Sequence, residues 1–264
     1  MKEILGYYAR AVSRVLRGKI AQEVDAGLRS LRLVERSREI RRAVDIGIRG
    51  VEVEPIPSCL AEGKSAILVS NYPSISKTVK AVLKVACRLP GENLRLRAIG
   101  GREVVTEAGL WLRAIGIDCL VFPAIKDEAG RYMLEPETLR EVLAHLDGQG
   151  NVLWLSITGK TRGNGLLEGD LRTGAALFSL KKRVPIVPMG LATEGRIVRV
   201  RFGEPIKPPE LEGLSDFEMG DFLVDVSRLI MCRIAALLPA GQRGDFEDVE
   251  DKLREVKSRL GWLG

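Results

Sequence analysis

Short apolar runs alternate with longer amphipathic segments between residues 50 and 215. The runs "SAILVSN", "NVLWLSI" and "VPIVPMGLA" have the length and the branched side chains that are typical of buried strands. Between them, "SKTVKAVLKVACRL", "PETLREVLAHLDGQG" and "TGAALFSLKKR" place apolar residues at helical spacing. This alternation predicts an α/β fold, with a mixed, mostly parallel sheet flanked by helices.

Further segments extend this pattern toward the C terminus. Strands are predicted near "LRLRAIGG", "CLVFPA" and "RIVRVRFGEPI", and a short helix near "VVTEAGLWLRAIG". From about residue 215 the chain is predicted to be helical, first with the apolar stripe of "DFLVDVSRLIMCRIAALLP" and then in the charged "EDVEDKLREVKSRLGWLG". We expect an α/β domain over residues 46–244 and a charged C-terminal helix over 245–264, in which Trp262 anchors to protein or lipid.

Positive charge is concentrated in an N-terminal basic helical segment, predicted over residues 1–45. The formal net charge is +6, and residues 1–50 alone carry twelve Lys and Arg against six Asp and Glu. Over residues 3–17, apolar positions recur at helical spacing while the arginines fall largely on the other side. Such a helix suits an anionic membrane surface. Packing on its own domain is an equal alternative, and an RNA-binding arm is the least favoured one.

Two classes of protein are disfavoured by what the sequence lacks. The longest uncharged runs, residues 65–76 and 148–159, have twelve residues each, whereas a membrane-spanning helix needs about 20. The four cysteines are widely spaced without a C-x-x-C pair, and there is one histidine, so neither a zinc site nor a disulfide framework is indicated. We expect a cytoplasmic protein that associates peripherally with membranes and binds no metal.

The stretch "ILVSNYPSISKTVKAVL" carries the first candidate chemistry. It ends a strand at Asn71, turns at Pro73 and restarts as a helix, a usual place for an α/β protein to present a working residue. Tyr72 and Lys77 form one candidate acid–base pair, because a neighbouring ammonium lowers the pKa of a phenol. The alternative S-x-x-K interpretation, with Ser74 as nucleophile, lacks the accompanying motifs and is treated as a coincidence.

Two other features are weaker candidates for chemistry. The "GKT" at 159–161 is not a phosphate-binding P-loop, because the first glycine of that motif would fall on Trp154. His145 is the one histidine available as a base. It lies off the predicted apolar face of its helix, near the helix end, and we expect it to be a surface residue. That apolar face consists of Leu139, Val142, Leu143 and Leu146.

Five short blocks occur in a recognisable order: "SNYPSISK" at 70–77, "WLSITGKTR" at 154–162, "VPIVP" at 184–188, "VRFGEPI" at 200–206 and "ALLPAGQRG" at 236–244. In order and spacing they resemble the glycerolipid acyltransferases typified by lysophosphatidic acid acyltransferase. That family carries an N-H-x-x-x-x-D block, then F-P-E-G-T-R, then V-P-I-V-P on the next strand. The resemblance spans roughly residues 50–244 and implies a glycerolipid acyltransferase-like α/β fold.

The same resemblance shows which reacting groups are replaced. In the family, the first-block histidine is the general base and the aspartate five residues on supports it; here these positions are Tyr72 and Lys77. A free tyrosine has a pKa near ~10, so about 0.1% is ionised at neutral pH, and a lysine cannot accept a hydrogen bond from histidine. Thr158 stands where the second block has its glutamate. The resemblance therefore implies a modified site, with Tyr72 and Lys77 as the candidate catalytic residues.

The binding half of the site is better preserved. Gly159, Lys160 and Arg162 form a basic turn, and the family's arginine in this turn clamps the acceptor's phosphate, which suits the forked guanidinium. When the block is aligned with the family's F-P-E-G-T-R without a gap, Thr161 falls at the arginine position. With one inserted residue, Arg162 falls there instead. An exposed loop whose charges only keep it solvated is the alternative. The expected substrate-binding residues are Asn71, Ser74, Thr158, Gly159, Lys160 and Arg162.

Two functions of different classes follow from the resemblance. The first is acyl transfer by a modified site, from acyl-CoA or acyl carrier protein as co-substrate to a lysophospholipid-like alcohol, in phospholipid or glycerolipid metabolism. The second is a catalytically inactive relative that binds acyl lipid, acyl carrier or the membrane surface. Neither implies a bound cofactor or metal, and both imply a lipid partner.

Overall fold

The computed structural model describes residues 42, 45–89, 96–100, 121–126, 132–158, 166–167, 169, 171–209 and 216–261. The main sheet contains β1 (Val51–Val53), β2 (Ala66–Ser70), β3 (Leu96–Gly100), β4 (Val121–Pro123), β7 (Val152–Ser156), β8 (Ile186–Glu194) and β9 (Ile197–Phe202). A small hairpin contains β5 (Ile125–Lys126) and β6 (Tyr132–Met133). The helices are α1 (Ser58–Ala61), α2 (Ile75–Arg88), α3 (Pro136–Leu146), α4 (Gly174–Lys182), α5 (Asp216–Ala236) and α6 (Val249–Leu260).

Three features expected from the sequence lie outside the described residues. They are the N-terminal basic helical segment over 1–45, of which only residues 42 and 45 are described, the short helix near "VVTEAGLWLRAIG" and the Trp262 anchor. The remaining strands and helices predicted from the sequence are present.

The main sheet is mixed and mostly parallel, as predicted. Its strand order is β1-β9-β8-β2-β7-β3-β4. The five strands from β8 to β4 run parallel to one another, β9 is antiparallel to β8, and β1 is parallel to β9. The α/β prediction is therefore confirmed, and β2 stands in the middle of the sheet.

Helices cover both faces of the sheet, which explains why its central strands are continuous apolar runs. Every residue of β2 is buried, as expected for a strand covered on both sides. Side chains from alternate positions of β2 belong to different clusters: Leu68 packs with α1 and α2, whereas Ile67 and Val69 pack with α3, α4, α5 and α6. The α2 helix therefore covers one face and α4 the opposite face.

The expectation for His145 was wrong. Its side chain is 5% exposed, and Nε2 lies 3.2 Å from the carbonyl oxygen of Val152 at the start of β7. His145 belongs to the last turn of α3, where the chain reverses into β7. Helical periodicity describes the face that packs along the sheet, but it does not show that the final turn is also covered by the strand that follows.

The charged C-terminal helix packs on the domain through a narrow apolar side. Val249 and Val256 of α6 are buried in the same cluster as the core residues of α5. Within the part of the chain that the structure describes, no helix combines the length and hydropathy required to cross a membrane. Nor do three or more His, Cys, Asp or Glu side chains come together there in an arrangement that could hold a metal ion.

Candidate functional site

The first two blocks of the family resemblance meet at the carboxyl ends of β2 and β7. These strands are parallel neighbours, and their last residues, Ser70 and Ser156, are paired in register. The Ile157 N–H donates to the Ser70 carbonyl oxygen at 3.1 Å, so the ladder continues one residue further. Tyr72 and Thr158 therefore occupy equivalent positions, two residues beyond paired strand ends.

The connections that leave these two strands diverge. The helix after β2 is α2, which packs on one face of the sheet, and the helix after β7 is α4, which packs on the other. In open α/β sheets a crevice forms where neighbouring connections leave to opposite faces, and ligands bind there beyond the carboxyl ends of the strands. The chain thus places both blocks at the position where this architecture ordinarily binds substrates.

The turn between β2 and α2 is built by Ser74. Its backbone is extended, and its hydroxyl accepts the Lys77 N–H at 3.3 Å, which caps the first turn of the helix. This cap gives the "SISK" sequence a structural explanation. Ser74 and Lys77 are both half-buried. Lys77 lies in the first turn of α2, where the helix dipole and the lysine ammonium both favour negative charge.

Tyr72 packs on the core just beyond the end of β2. It is half-buried, and its side chain packs against the apolar cluster beneath α2. Packing of the ring restricts where the hydroxyl can reach. A role in acid–base chemistry therefore requires the substrate to come to the strand ends rather than Tyr72 to swing out toward it.

Asn71 has a structural role that its sequence position did not indicate. The side chain is 1% exposed, and its amide spans the backbone of Leu191 on β8. Asn71 Oδ1 accepts the Leu191 N–H at 2.7 Å, and Nδ2 donates to the Leu191 carbonyl oxygen at 3.2 Å. These bonds fix the residue that directly precedes Tyr72 in the turn. The expected role of Asn71 in substrate binding stays a prediction.

A second carboxamide repeats this arrangement further along β8. Gln242 Oε1 accepts the Thr193 N–H at 2.9 Å, and Nε2 donates to the Thr193 carbonyl oxygen at 2.6 Å. The β2 strand pairs with β8 only as far as Met189. Beyond the end of β2, Leu191 and Thr193 are the next residues of β8 whose backbone groups point to that side, and they are bonded by Asn71 and Gln242. Periodicity in the sequence could not predict either contact.

The end of β7 presents hydroxyl groups. The Ser156 and Thr158 hydroxyls lie 3.4 Å apart, and Thr158 is 8% exposed. Below them, the indole N–H of Trp154 donates to the Ser70 hydroxyl at 3.1 Å. This bond ties the two strands together inside the sheet, so the position of Thr158 relative to the β2 turn is well defined.

The basic turn expected to bind phosphate lies outside the described residues. This applies to Gly159, Lys160 and Arg162. The described chain resumes at Leu166 and Leu167, and Leu167 is buried in the core. Of the eight candidate site residues, the structure therefore brings Asn71, Tyr72, Ser74, Lys77 and Thr158 to one edge of the sheet and does not describe the other three.

Comparison with solved structures gives a likeness to an acyltransferase. A scan against protein-family models finds no match, and a search of curated proteins finds no relative. The chain is similar to the crystal structure of the 1-acyl-sn-glycerophosphate (LPA) acyltransferase, PlsC, from Thermotoga maritima, with a TM-score of 0.45 and 14% sequence identity. The likeness covers 84% of this chain and 87% of that chain. At this TM-score and identity it establishes neither a family nor an activity for the protein.

Proposed function

We propose that this protein acts on glycerolipids: it holds a lysophospholipid-like alcohol at the carboxyl ends of β2 and β7 and transfers an acyl chain to it from a thioester donor. One observation supports this proposal above the others. The two blocks that resemble the acyltransferase motifs leave neighbouring parallel strands whose ends are joined by the hydrogen bond from Ile157 to Ser70. They leave at the edge where this architecture binds ligands.

The reaction requires a proton carrier and an anion site. The acceptor hydroxyl forms an ester bond with the thioester carbonyl carbon, the carbon–sulfur bond breaks, and the hydroxyl proton has to reach the departing thiolate. In the proposed mechanism Tyr72 acts as a phenolate that the Lys77 ammonium stabilises. Its oxygen accepts the proton of the alcohol and then gives this proton to the departing thiolate, which restores the phenolate. Lys160 and Arg162 bind the acceptor's phosphate.

A catalytically inactive lipid-binding protein is the second candidate. The observation that favours it is the packing of Tyr72 against the core beneath α2. A hydroxyl on a constrained ring is a poor substitute for an imidazole supported by a carboxylate, and Thr158 supplies no acid where the family has glutamate. In this alternative the same edge of the sheet binds acyl lipid or acyl carrier without turnover.

An acyl-transfer assay separates the two candidates. Purified full-length protein is incubated with acyl-CoA or acyl carrier protein thioester and lysophosphatidic acid, and phosphatidic acid is quantified by mass spectrometry. General acid–base catalysis contributes about 10²–10⁴-fold, so Tyr72→Phe should reduce turnover by about 100-fold or more while lipid binding persists. Binding of lysophosphatidic acid without measurable turnover in the unmodified protein would support the inactive candidate instead.

A matched pair of lysine variants tests the role assigned to α2. Lys77→Met removes the half-buried ammonium at the first turn, whereas Lys80→Met removes an exposed one on the same helix. We expect only Lys77→Met to reduce turnover or weaken phosphate binding. Equal effects of the two changes would indicate a general loss of positive charge and not a site at the helix start.

We further propose that residues 1–45 attach the protein peripherally to the cytoplasmic face of a membrane. The charge of this segment supports the proposal, since each basic residue near an anionic surface contributes about 1 kcal/mol. Vesicles rich in anionic lipid should retain the full chain and release a version that lacks residues 1–45. Equal retention of both versions would contradict this role.

A further inference from the structure

The β8–β9 hairpin extends beyond the strand ends that carry the candidate site. The β2 strand pairs with β8 as far as Met189, whereas β8 continues to Glu194. At about 3.3 Å per residue, the hairpin tip stands roughly 16 Å further along the sheet than the end of β2. Glu194 pairs with Ile197 across the turn, and among the described residues nothing lies within 4 Å of a Cβ at Gly195. The tip therefore projects free of the rest of the described domain.

The β5–β6 hairpin projects from the same edge of the sheet. At the end of β4, the Ala124 N–H donates to the Gly100 carbonyl oxygen at 3.2 Å, and β5 begins at the next residue. Ile125 of β5 is paired with Met133 of β6, so the two side chains share one face of the hairpin. In the strand order β8-β2-β7-β3-β4, the two strands that carry the candidate site lie between the hairpins. At about 4.8 Å per strand, the two hairpins are roughly 19 Å apart.

Both hairpins present large apolar side chains to solvent. Ile197 is 37% exposed beside the tip of β8–β9, and Ile125 and Met133 are 38% and 50% exposed on β5–β6. A single exposed apolar side chain is ordinary on a protein surface. These three lie on the two projections that flank the candidate site, so their shared position requires a physical explanation.

The charge at the β8–β9 tip suits an anionic surface. Arg196 is exposed in the turn itself, next to Ile197. The acid at the turn, Glu194, forms an ion pair with Arg199 at 3.3 Å, so its charge is balanced within the hairpin. An apolar side chain that enters the lipid boundary, beside an arginine that reaches phosphate groups, is the usual combination at a membrane interface.

We infer that the two hairpins rest on a lipid bilayer and hold the ends of β2 and β7 against its surface. This inference rests on the proposed function, in which the acceptor at that edge is a lipid. A bilayer fits the two contacts better than a protein partner does, because they are small and roughly 19 Å apart. A stable protein interface instead buries about 1,200–2,000 Å² in one patch. The contact adds to the attachment proposed for residues 1–45 and sets which edge of the sheet faces the lipid.

Co-sedimentation of the full-length protein with phosphatidylcholine vesicles that contain phosphatidylglycerol tests this contact. Transfer of the exposed part of an isoleucine or methionine side chain changes a partition coefficient by about three- to ten-fold. Two hairpin variants, Ile197→Ser and the combination of Ile125→Ser with Met133→Ser, should therefore each lower partition by about three-fold or more. Ile197→Leu should retain it. Arg196→Gln should lower binding to these vesicles by about five-fold, but not to vesicles of phosphatidylcholine alone.

Ile46→Ser is the matched control. Ile46 is 73% exposed, but its neighbour Asp45 accepts a hydrogen bond from Arg88 at 3.2 Å, at the end of α2 that is far from the candidate site. This change should leave partition unaltered. Because each effect is a ratio between variants, it remains visible if residues 1–45 also bind the vesicles.

Acyl transfer separates this inference from the proposed function. Turnover is measured with lysophosphatidic acid embedded in vesicles and with a short-chain, water-soluble lysophosphatidic acid. The hairpin variants should raise the apparent KM for the embedded acceptor by the factor seen in partition and leave turnover of the soluble acceptor unchanged. No turnover with either acceptor would refute the proposed function, whereas partition that is lost only in the hairpin variants would still support the inference.

Three results would overturn the inference alone. Unchanged partition in both hairpin variants would show that the hairpins do not touch lipid. An equal loss of partition in Ile46→Ser would indicate a general effect of surface hydrophobicity. A dimer that dissociates in Ile197→Ser, with partition unchanged, would assign the tip to a second copy of the chain.

Discussion

Replacing Asn71 by alanine removes two hydrogen bonds from the middle of the sheet. Both join the side chain to the backbone of Leu191, whose own side chain is fully buried. A hydrogen bond contributes about 0.5–1.5 kcal/mol net, and a buried polar group left without its partner costs about 1–3 kcal/mol. Both the N–H and the carbonyl oxygen of Leu191 lose their partner, so the variant should lose about 2–6 kcal/mol of unfolding free energy, a large part of the roughly 5–15 kcal/mol typical of a whole domain.

Urea unfolding followed by circular dichroism measures this loss, with Asn151→Ala as the matched control. Asn151 is also buried, but it donates one hydrogen bond, to the His145 carbonyl oxygen at 2.6 Å, near the amino end of β7. Asn151→Ala should therefore cost less, about 1–3 kcal/mol. Both variants should keep the urea dependence of the unmodified protein. Only Asn71→Ala should also weaken lipid binding, because only Asn71 positions the turn that carries Tyr72.

A loss below about 0.5 kcal/mol in Asn71→Ala would refute this reasoning, since the Leu191 groups would then be satisfied in some other way. Asn71→Asp gives a second test of the same contact. Its carboxylate can still accept the Leu191 N–H, but it brings a second oxygen against the Leu191 carbonyl. Stability equal to that of the unmodified protein would contradict the two-bond geometry.

Three further predictions concern buried groups elsewhere. His145→Ala should lower the free energy of unfolding, measured in urea, by about 2–3 kcal/mol, since it removes a buried ring and its contact with Val152. Glu141→Ala, on the exposed side of the same helix, should change it by less than about 0.5 kcal/mol. Gly190→Ala should destabilise the protein by about 1–3 kcal/mol, because the new Cβ would lie 2.5 Å from Leu237 Cβ. Gly241→Ala should leave the stability unchanged, because nothing lies within 4 Å of a Cβ at that position. Equal losses of stability in the two variants would contradict the steric explanation. Burial raises the pKa of the Cys232 thiol from 9.0 to about 11. Between these two pH values the folded protein keeps the thiol proton and the unfolded chain loses it. The free energy of unfolding should therefore fall as the pH rises from about 9 to about 11. Cys232→Ala should reduce that decline, and native Cys232 should resist iodoacetamide at pH 8; rapid labelling would show that it is accessible.

The sequence was a good guide to the fold because buried strands and amphipathic helices each leave a local pattern. The apolar run that became β2 and the helical spacing of α2 are both properties of consecutive residues. The blocks around Tyr72 and Thr158 could likewise be assigned to strand ends. Parallel pairing then brings such ends together without any further information from the sequence.

The contacts that fix the site were not predictable in the same way. Asn71 and Leu191 are 120 residues apart, and Thr193 and Gln242 are 49 apart. A carboxamide that bonds a distant backbone looks, in the sequence, like any polar residue in a turn. His145 shows the same limit, because its burial depends on the strand that follows α3 and not on the helix itself.

The unequal lengths of β2 and β8 leave the end of β8 without a neighbouring strand on the β2 side. Where β2 stops, the continuing part of β8 would offer an open row of backbone donors and acceptors, the kind of edge to which a strand from another molecule adds. Asn71 and Gln242 occupy this row at Leu191 and Thr193. The two carboxamides thus pair the backbone donors and acceptors of Leu191 and Thr193 that an added strand would otherwise use.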